Sequence, residues 1–192
     1  YSTISSFYVA GNAGVLIEFV DTINGWVAYK RRISQIEDSL DEYLLVENIN
    51  DMYKTNISTW GITYSYYTQS IPTNKDLLFL VTNNNKIIAY DINNSFSQIG
   101  SDFIYFDFGK DYKDIRNITR KQGTNVFYFT GNEATSGYDG IFSFKITEFS
   151  TLGTGSSYSN TAIGGSATIE YVGYPNQIFD YNGTEMLICG NT

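Results

Sequence analysis

The sequence predicts an all-β protein built of antiparallel meanders, and three of its properties lead to that prediction. The first is an aromatic content of 17%, dominated by 17 Tyr and 13 Phe, residues that favour pleated, half-buried strands. The second is a series of short apolar segments separated by turns rich in Gly and Asn. The third is a strand–turn–strand pattern that recurs along the chain. We expect a single domain over residues 1–192, which is long enough to enclose one hydrophobic core.

Composition and charge also restrict the function. The chain carries 12 Lys and Arg against 20 Asp and Glu, for a net charge of −8. Because nucleic acids and anionic membranes bind cationic surfaces, direct nucleic-acid binding is not expected. No apolar run is long enough for a transmembrane helix, so membrane insertion is not expected either.

Catalysis is restricted by the complete absence of His. Ser-His-Asp chemistry and histidine zinc sites are therefore excluded, and no glycine-rich phosphate-binding motif is present. We expect a non-catalytic protein without a cofactor. The remaining enzymatic alternative is a glycoside hydrolase with a carboxylate pair. The acidic residues near predicted strand ends that could supply such a pair are Glu18, Asp21, Asp91, Asp139 and Asp180.

The first thirty residues predict a three-stranded meander. Residues 5–12 and 15–20 are the first two strands. Asn24-Gly25, a dipeptide typical of tight hairpins, joins the second strand to a third at residues 26–30.

Residues 34–45 interrupt the β pattern and predict a short helical insertion. Apolar residues recur at near-helical spacing from Ile33 to Leu44, with acidic residues between them. Ser34 and Glu37 have the spacing of a capping box. The alternative assigns residues 43–46 to a strand.

Residues 60–68 are rich in aromatic side chains that could form a binding surface. Trp60, Tyr64 and Tyr66 alternate with small residues, as expected for a strand with one aromatic face. If that face is exposed, it could stack on a sugar or contact a protein partner. If it is buried, it belongs to the core.

The middle of the chain predicts a second hairpin, from residues 77–82 and 87–92, and a strand at 101–108 that is apolar on both faces. An acidic loop follows, in which Asp107, Asp111 and Asp114 are a candidate Ca²⁺ site. The spacing does not match an EF-hand, and two lysines in the loop offset part of its charge. A solvated loop is the alternative.

The C-terminal half predicts a hairpin at residues 126–130 and 140–145, with a turn at Gly131-Asn132, and later strands at 167–172, 177–181 and 186–192. Residues 150–166 are rich in Gly, Ser and Thr and predict a flexible loop. Cys189, the only cysteine, lies in an apolar run, which predicts a buried thiol.

Four segments repeat the same pattern of three apolar residues, one small or polar residue, and Gly-Asn or Asn-Asn. They are residues 7–12, 79–84, 127–132 and 186–191. Their starts lie about 50 to 70 residues apart, which favours blades of a small or partial β-propeller, with a β-sandwich as the alternative. The last copy stops where its second strand should begin. Either the N-terminal strands complete that blade, or the chain is a fragment of a longer propeller-containing protein.

Two short stretches resemble a known family. Residues 115–120 (Ile-Arg-Asn-Ile-Thr-Arg), leading into the strand at Val126, and residues 178–183 (Ile-Phe-Asp-Tyr-Asn-Gly), running on to Cys189-Gly190, are similar to segments of the propeller-bearing tail hub and nozzle proteins of short-tailed bacteriophages. The resemblance implies a non-catalytic virion subunit that assembles into a ring around the DNA exit channel.

Three functional hypotheses follow. The first is a structural assembly protein of a phage tail or virion, whose partners are protein subunits, most of all further copies of itself. The second is an extracellular module that binds a glycan or a receptor. The third is the glycoside hydrolase. The first two place the protein in a virion or outside the cell.

Overall fold

The computed structural model describes residues 6–31, 34–36, 42–44, 48–61, 76–92, 103–105, 112–146 and 168–191. These residues form fifteen strands and two short 3-10 helices, Asn12–Gly14 and Ile57–Thr59. The strands pair antiparallel in five small sheets, and no sheet within the described ranges closes on itself. The predicted all-β class is therefore confirmed.

Four of the sheets are meanders whose strands follow one another in chain order. Sheet 1 contains β1 (Ser6–Ala10), β2 (Leu16–Thr22) and β3 (Gly25–Arg31). Sheet 2 contains β6 (Ile49–Asn56), β7 (Asp76–Thr82), β8 (Ile87–Asp91) and β9 (Phe103–Tyr105). Sheet 3 contains β10 (Tyr112–Arg120), β11 (Val126–Glu133), β12 (Asp139–Lys145) and β13 (Thr168–Val172). Sheet 4 contains β14 (Tyr174–Asp180) and β15 (Met186–Asn191).

The predicted helical insertion at residues 34–45 is wrong. The described parts of this region are two strands, β4 (Ser34–Ile36) and β5 (Glu42–Leu44), which pair antiparallel. Ser34 lies opposite Leu44, so the backbone groups of β4 pair with those of β5 across a hairpin. In a helix they would bond to residues four positions away in the sequence. The strand alternative for residues 43–46 is confirmed at residues 43 and 44.

Sheets 1 to 4 are stacked in chain order. The face that a sheet turns toward the preceding sheet is called its rear face, and the face toward the following sheet its front face. In sheet 1, the front face carries Tyr8, Ala10 and Leu16, which pack against Leu78 and Leu80 on the rear face of sheet 2.

The main core lies between the front face of sheet 2 and the rear face of sheet 3. Phe79 and Val81 pack there against Phe127 and Phe129, and all four side chains are fully buried. The ring centroids of Phe79 and Phe127 are 4.6 Å apart. Because aromatic side chains bury large apolar areas, this junction supplies most of the hydrophobic stabilisation of the described chain.

Sheet 4 packs against the face of sheet 3 that is opposite to the main core. Thr130, on the front face of sheet 3, donates its hydroxyl to the carbonyl oxygen of Asn176 in β14 at 3.2 Å. Ile178 of β14 is buried toward sheet 3, and its backbone N–H bonds the side chain of Asn117 in β10 at 2.9 Å.

The repeated segments lie on β1, β7, β11 and β15, but one copy is displaced from its predicted alignment. Phe7 and Phe127 lie on rear faces, whereas Phe79, predicted to match them, lies on a front face. The residue of sheet 2 that matches them is Leu78. Since side chains alternate between the two faces of a strand, a shift of one residue exchanges the faces.

The glycines of the repeat do not form the predicted turn. Gly131 and Asn132 belong to β11, and the chain turns afterwards, where the N–H of Gly137 bonds the carbonyl of Glu133. A Cβ at Gly131 would lie 3.3 Å from the carbonyl oxygen of Lys113, beside an irregularity in the pairing of β10.

Gly190 occupies the same place opposite the irregularity of β14, where its Cβ would lie 2.7 Å from the Cα of Pro175. The repeated glycines of β11 and β15 therefore permit the irregular strands paired with them, β10 and β14, to approach closely.

Candidate interaction surfaces

The rear face of sheet 1 exposes a cluster of apolar side chains. Phe7 stacks on Phe19 with 4.8 Å between ring centroids, and Trp26 meets Phe7 edge-on at 5.2 Å. Phe7, Val9 and Trp26 are 47%, 45% and 54% exposed. The cross-strand pairing of Phe7 with Phe19 and of Phe19 with Ala28 places these side chains on one face.

The front face of sheet 4 exposes a second apolar cluster. Phe179 and Leu187 lie directly opposite each other on β14 and β15 and are 43% and 51% exposed. Cys189 follows on the same face and is exposed, so the predicted buried thiol is wrong. Cys189 lies on the side away from sheet 3, and β15 is exposed on its other side too, where Ile188 is 47% exposed opposite the buried Ile178.

On β7 and β11, the positions equivalent to these side chains are mostly buried inside the stack, although Ile188, the equivalent of Val9 on β15, is 47% exposed. On β7 and β11, the rear-face residues that match Phe7 and Val9 are at most 1% exposed: Leu78 and Leu80, and Phe127 and Phe129. On the front face, Phe79 and Val81 match Leu187 and Cys189 and are 0% exposed. Both terminal faces thus carry apolar side chains like those at the internal junctions. No sheet among the described residues covers either face.

The predicted binding surface at residues 60–68 is wrong for Trp60. This side chain is 1% exposed, and its ring lies 5.2 Å from that of Phe127 in the core between sheets 2 and 3. Its indole Nε1–H donates to the hydroxyl of Thr55 at 2.9 Å. Trp60 is therefore a core residue, and Tyr64 and Tyr66 lie outside the described residues.

The candidate Ca²⁺ site has one described member, because Asp107 and Asp111 lie outside the described residues. Asp114 is exposed, with a φ of 51°, at the irregularity of β10. Across the part of the chain that the structure describes, no three His, Cys, Asp or Glu side chains form a group that could hold a metal ion. The predicted flexible loop at 150–166 also lies outside the described residues.

The acidic residues considered for a hydrolase are distributed over different sheets. Glu18, in sheet 1, accepts a hydrogen bond from the hydroxyl of Tyr8 at 3.0 Å. Asp139, in sheet 3, forms an ion pair with Arg116. Asp180, in sheet 4, accepts hydrogen bonds from the backbone N–H groups of Gln122 and Gly183.

Asp21 is exposed on β2, three residues beyond Glu18, which places the two side chains on opposite faces of sheet 1. Asp91 is at the end of β8. None of these observations brings two of the carboxyl groups together.

One further carboxylate, which the sequence did not single out, joins three sheets. Asp51 of β6 accepts hydrogen bonds from the side chain of Asn117 and the backbone N–H of Ile118, both at 2.8 Å. Asn117 in turn accepts from Ile178 of sheet 4. Burial raises the pKa of Asp51, and the hydrogen bonds that it accepts oppose that rise. The network fixes how sheets 2, 3 and 4 meet.

The chain was also compared with known proteins. No family model, curated protein or solved structure matches it. The described helices are short 3-10 turns, and none is long and apolar enough to cross a membrane. The candidate functional surfaces are therefore the two terminal apolar faces, which the sequence pattern did not predict. The sequence did contain a signal for the face of sheet 1. Phe7 and Val9 alternate with Tyr8 and Ala10, which indicates a strand with apolar side chains on both faces.

Proposed function

We propose that this protein is a non-catalytic structural subunit that assembles through the apolar faces at the two ends of its stack of sheets. The observation that carries the proposal is the exposure of Phe7, Val9 and Trp26 at one end and of Phe179 and Leu187 at the other. Isolated exposed apolar residues are ordinary, but grouped ones are typical of interaction sites. Two such groups on one small chain favour repeated association over a single binding event.

The stack also supports the finer architectural proposal that sheets 1 to 4 are blades of a β-propeller or of a partial one. Sheets 2 and 3 each contain four antiparallel strands in chain order, as propeller blades do.

Together with the resemblance of residues 115–120 and 178–183 to tail hub and nozzle proteins, these features support a role as a virion component, as in the tail of a short-tailed phage. The net charge of −8 is compatible with such a role, because the wall of a channel that conducts DNA should not bind it. On this proposal the partners are other copies of the chain.

The test is the mass of the protein in solution. Sedimentation velocity and native mass spectrometry at protein concentrations of about 1–50 μM should reveal species larger than 21.7 kDa. The proportion of these species should rise with protein concentration. A single 21.7 kDa species over this whole range would contradict the proposal.

A second candidate function is the binding of a glycan or receptor through exposed aromatic side chains. Trp60, which the sequence suggested for this role, is buried, but Trp26 beside Phe7 offers an exposed ring on the face of sheet 1. If the protein binds glycans, the monomer should give signals on a glycan array, and these should disappear in Trp26→Ala. If the protein acts only by assembly, no glycan-array signal is expected.

A further inference from the structure

Two hairpin turns of the chain contain the dipeptide Asn-Gly. Asn24-Gly25 lies between β2 and β3, and Asn182-Gly183 lies between β14 and β15. An asparagine that precedes glycine can lose its side-chain amide without a catalyst, because glycine has no Cβ to hinder attack by its own backbone nitrogen. Since the reacting atoms are the same in both dipeptides, any difference in their reactivity comes from the fold.

Asn24 lies at the tip of a hairpin that nothing supports among the described residues. Its neighbour Ile23 is 98% exposed, and a Cβ added at Gly25 would meet no atom within 4 Å. The backbone N–H of Asn24 donates to the hydroxyl of Thr22 at 3.2 Å, but its side-chain amide has no hydrogen-bond partner in the described chain. The side chain of Asn24 can therefore turn toward the nitrogen of Gly25 without breaking a contact.

The backbone at Gly25 is also accessible. Gly25 is exposed and pairs with Thr22 at the last position of the β2–β3 ladder. The ends of a ladder open more readily than its middle, because fewer contacts hold them. The nitrogen of Gly25 is thus available to react when the tip of the hairpin frays.

The side chain of Asn182, in contrast, is held by three hydrogen bonds. Its Oδ1 accepts from the backbone N–H groups of Thr184 and Glu185, at 3.0 and 2.8 Å. Its Nδ2 donates to the carboxylate of Glu185 at 2.8 Å. The backbone N–H of Gly183, which would have to react, donates to the carboxylate of Asp180 at 2.6 Å.

The turn that carries Asn182 is also anchored on sheet 3. Asp180 accepts a further hydrogen bond from the backbone N–H of Gln122, and a Cβ added at Gly183 would lie 3.4 Å from the Cβ of Gln122. The two Asn-Gly turns therefore differ in both hydrogen bonding and packing.

We propose that Asn24 is a site of spontaneous deamidation in the folded protein, and that the fold protects Asn182 from the same reaction. The backbone nitrogen of Gly25 bonds to the side-chain carbonyl carbon of Asn24 and gives up its proton. The bond from that carbon to Nδ2 breaks, and ammonia leaves. Water then opens the succinimide ring to aspartate or isoaspartate, and no oxidant or reductant is needed. This chemistry is independent of the proposed assembly function.

The protection of Asn182 has two physical causes. Its side chain must rotate before the nitrogen of Gly183 can reach the carbonyl carbon, and that rotation breaks hydrogen bonds. The negative charge of Asp180 also opposes loss of the proton from Gly183, because it favours the protonated nitrogen. If at least two hydrogen bonds of ordinary net strength must break, the reaction is slowed by about tenfold or more.

The products would alter the hairpin in two ways. Aspartate adds a negative charge to a chain whose net charge is already −8. Isoaspartate adds a carbon atom to the main chain inside the turn that joins β2 to β3. Because the length of a hairpin turn sets the register of its strands, the pairing of Trp26 with Asp21 is expected to weaken.

The experiment incubates the full chain at mildly alkaline pH, folded in buffer and unfolded in urea. Peptide mapping by mass spectrometry follows amide loss at each asparagine, and labelling with an isoaspartyl methyltransferase identifies isoaspartate. In the folded protein, Asn24 is expected to react about tenfold faster than Asn182 or more. In the unfolded chain the two rates should be equal, because both asparagines then precede a glycine in a mobile chain.

Three variants test the cause of the difference. Asp180→Ala and Glu185→Ala each remove an acceptor from the Asn182 turn and should raise the rate at Asn182 while leaving the rate at Asn24 unchanged. Asn24→Ser should remove the first acidic species that ion-exchange chromatography detects in the folded protein. Circular dichroism verifies that each variant is folded.

Equal rates at Asn24 and Asn182 in the folded protein, or a faster reaction at Asn182, would overturn the proposal. An unchanged rate at Asn182 in both Asp180→Ala and Glu185→Ala would overturn protection by these hydrogen bonds. None of these results bears on self-association, so the proposed assembly function is tested separately by the mass of the protein in solution.

Discussion

Replacement of Trp60 by Ala is expected to destabilise the fold by about 4 kcal/mol. The side chain is 1% exposed and packs edge-on against Phe127 and obliquely against Phe79, at centroid distances of 5.2 and 6.4 Å. Trp→Ala changes at such sites cost about 3–5 kcal/mol, because apolar contact is lost and the cavity only partly collapses. The hydroxyl of Thr55 also loses its donor, which adds about 1 kcal/mol if water does not replace it.

This loss should be measurable by urea unfolding followed by far-ultraviolet circular dichroism, a signal that does not depend on tryptophan. Trp60→Phe retains the aromatic contact and loses the hydrogen bond, so we expect an intermediate loss of about 1–2 kcal/mol. Trp26→Ala is the matched control, because Trp26 is 54% exposed and its removal from the monomer should cost less than about 1 kcal/mol.

Equal losses in Trp60→Ala and Trp26→Ala would refute the difference in burial between the two rings. Fluorescence gives an independent check. In Trp26→Phe the remaining emission, from Trp60, should be blue-shifted relative to that of Trp60→Phe.

Three other changes probe the polar contacts and the repeated glycine. Asp51→Ala should cost about 2–4 kcal/mol in urea unfolding, because Asn117 and one backbone N–H lose their acceptor. Burial first, and the negative charge of a nearby carboxylate second, raise the pKa of Tyr112 to about 12. Its contribution to stability is therefore complete below about pH 10 and lost as the pH rises through about 12, so Tyr112→Phe should lose less stability than the wild type between pH 9 and 11.5. Gly190→Ala should weaken the β14–β15 pair by about 1–3 kcal/mol, whereas Gly11→Ala, with no atom within 4 Å of the new Cβ, should be tolerated.

These three changes have distinct contradicting outcomes. Unchanged stability in Asp51→Ala would mean that the hydrogen bonds to sheet 3 are replaced by water. If the free energy of unfolding falls equally with rising pH in the wild type and in Tyr112→Phe, ionisation of Tyr112 does not cause the alkaline loss of stability. Equal losses in Gly190→Ala and Gly11→Ala would show that close approach of the backbone at Gly190 does not determine the effect.

Local signals were sufficient to predict most hairpins. Asn24-Gly25 correctly located the turn between β2 and β3, because this dipeptide readily adopts positive φ angles and Gly25 has a φ of 100°. Two strands were missed or cut short. In β6, Ile49–Asn56, polar residues interrupt the apolar pattern, and in β10, Tyr112–Arg120, an irregularity breaks the period of two.

The errors arose where distant contacts outweighed local preference. Residues 34–45 have helical spacing and a capping box, yet β4 and β5 pair across a hairpin. Trp60 belongs to an alternating aromatic segment, and the sequence does not reveal whether such a face is covered. Its burial depends on Phe127, which is far along the chain. The terminal faces are invisible for the same reason, because their exposure depends on which sheets are neighbours.

The chain-order stack has a consequence for how the protein opens. Because sheets contact their neighbours in sequence, the free energy of unfolding is approximately a sum of terms for single sheets and terms for junctions. Among the described residues, fifteen are buried at the junction between sheets 2 and 3, and four at the junction between sheets 1 and 2. Amide hydrogens in β7 and β11 should therefore exchange slowest, and those of the terminal sheets fastest. On the proposed assembly function, contact of a terminal sheet with another subunit would slow the local fraying of that sheet.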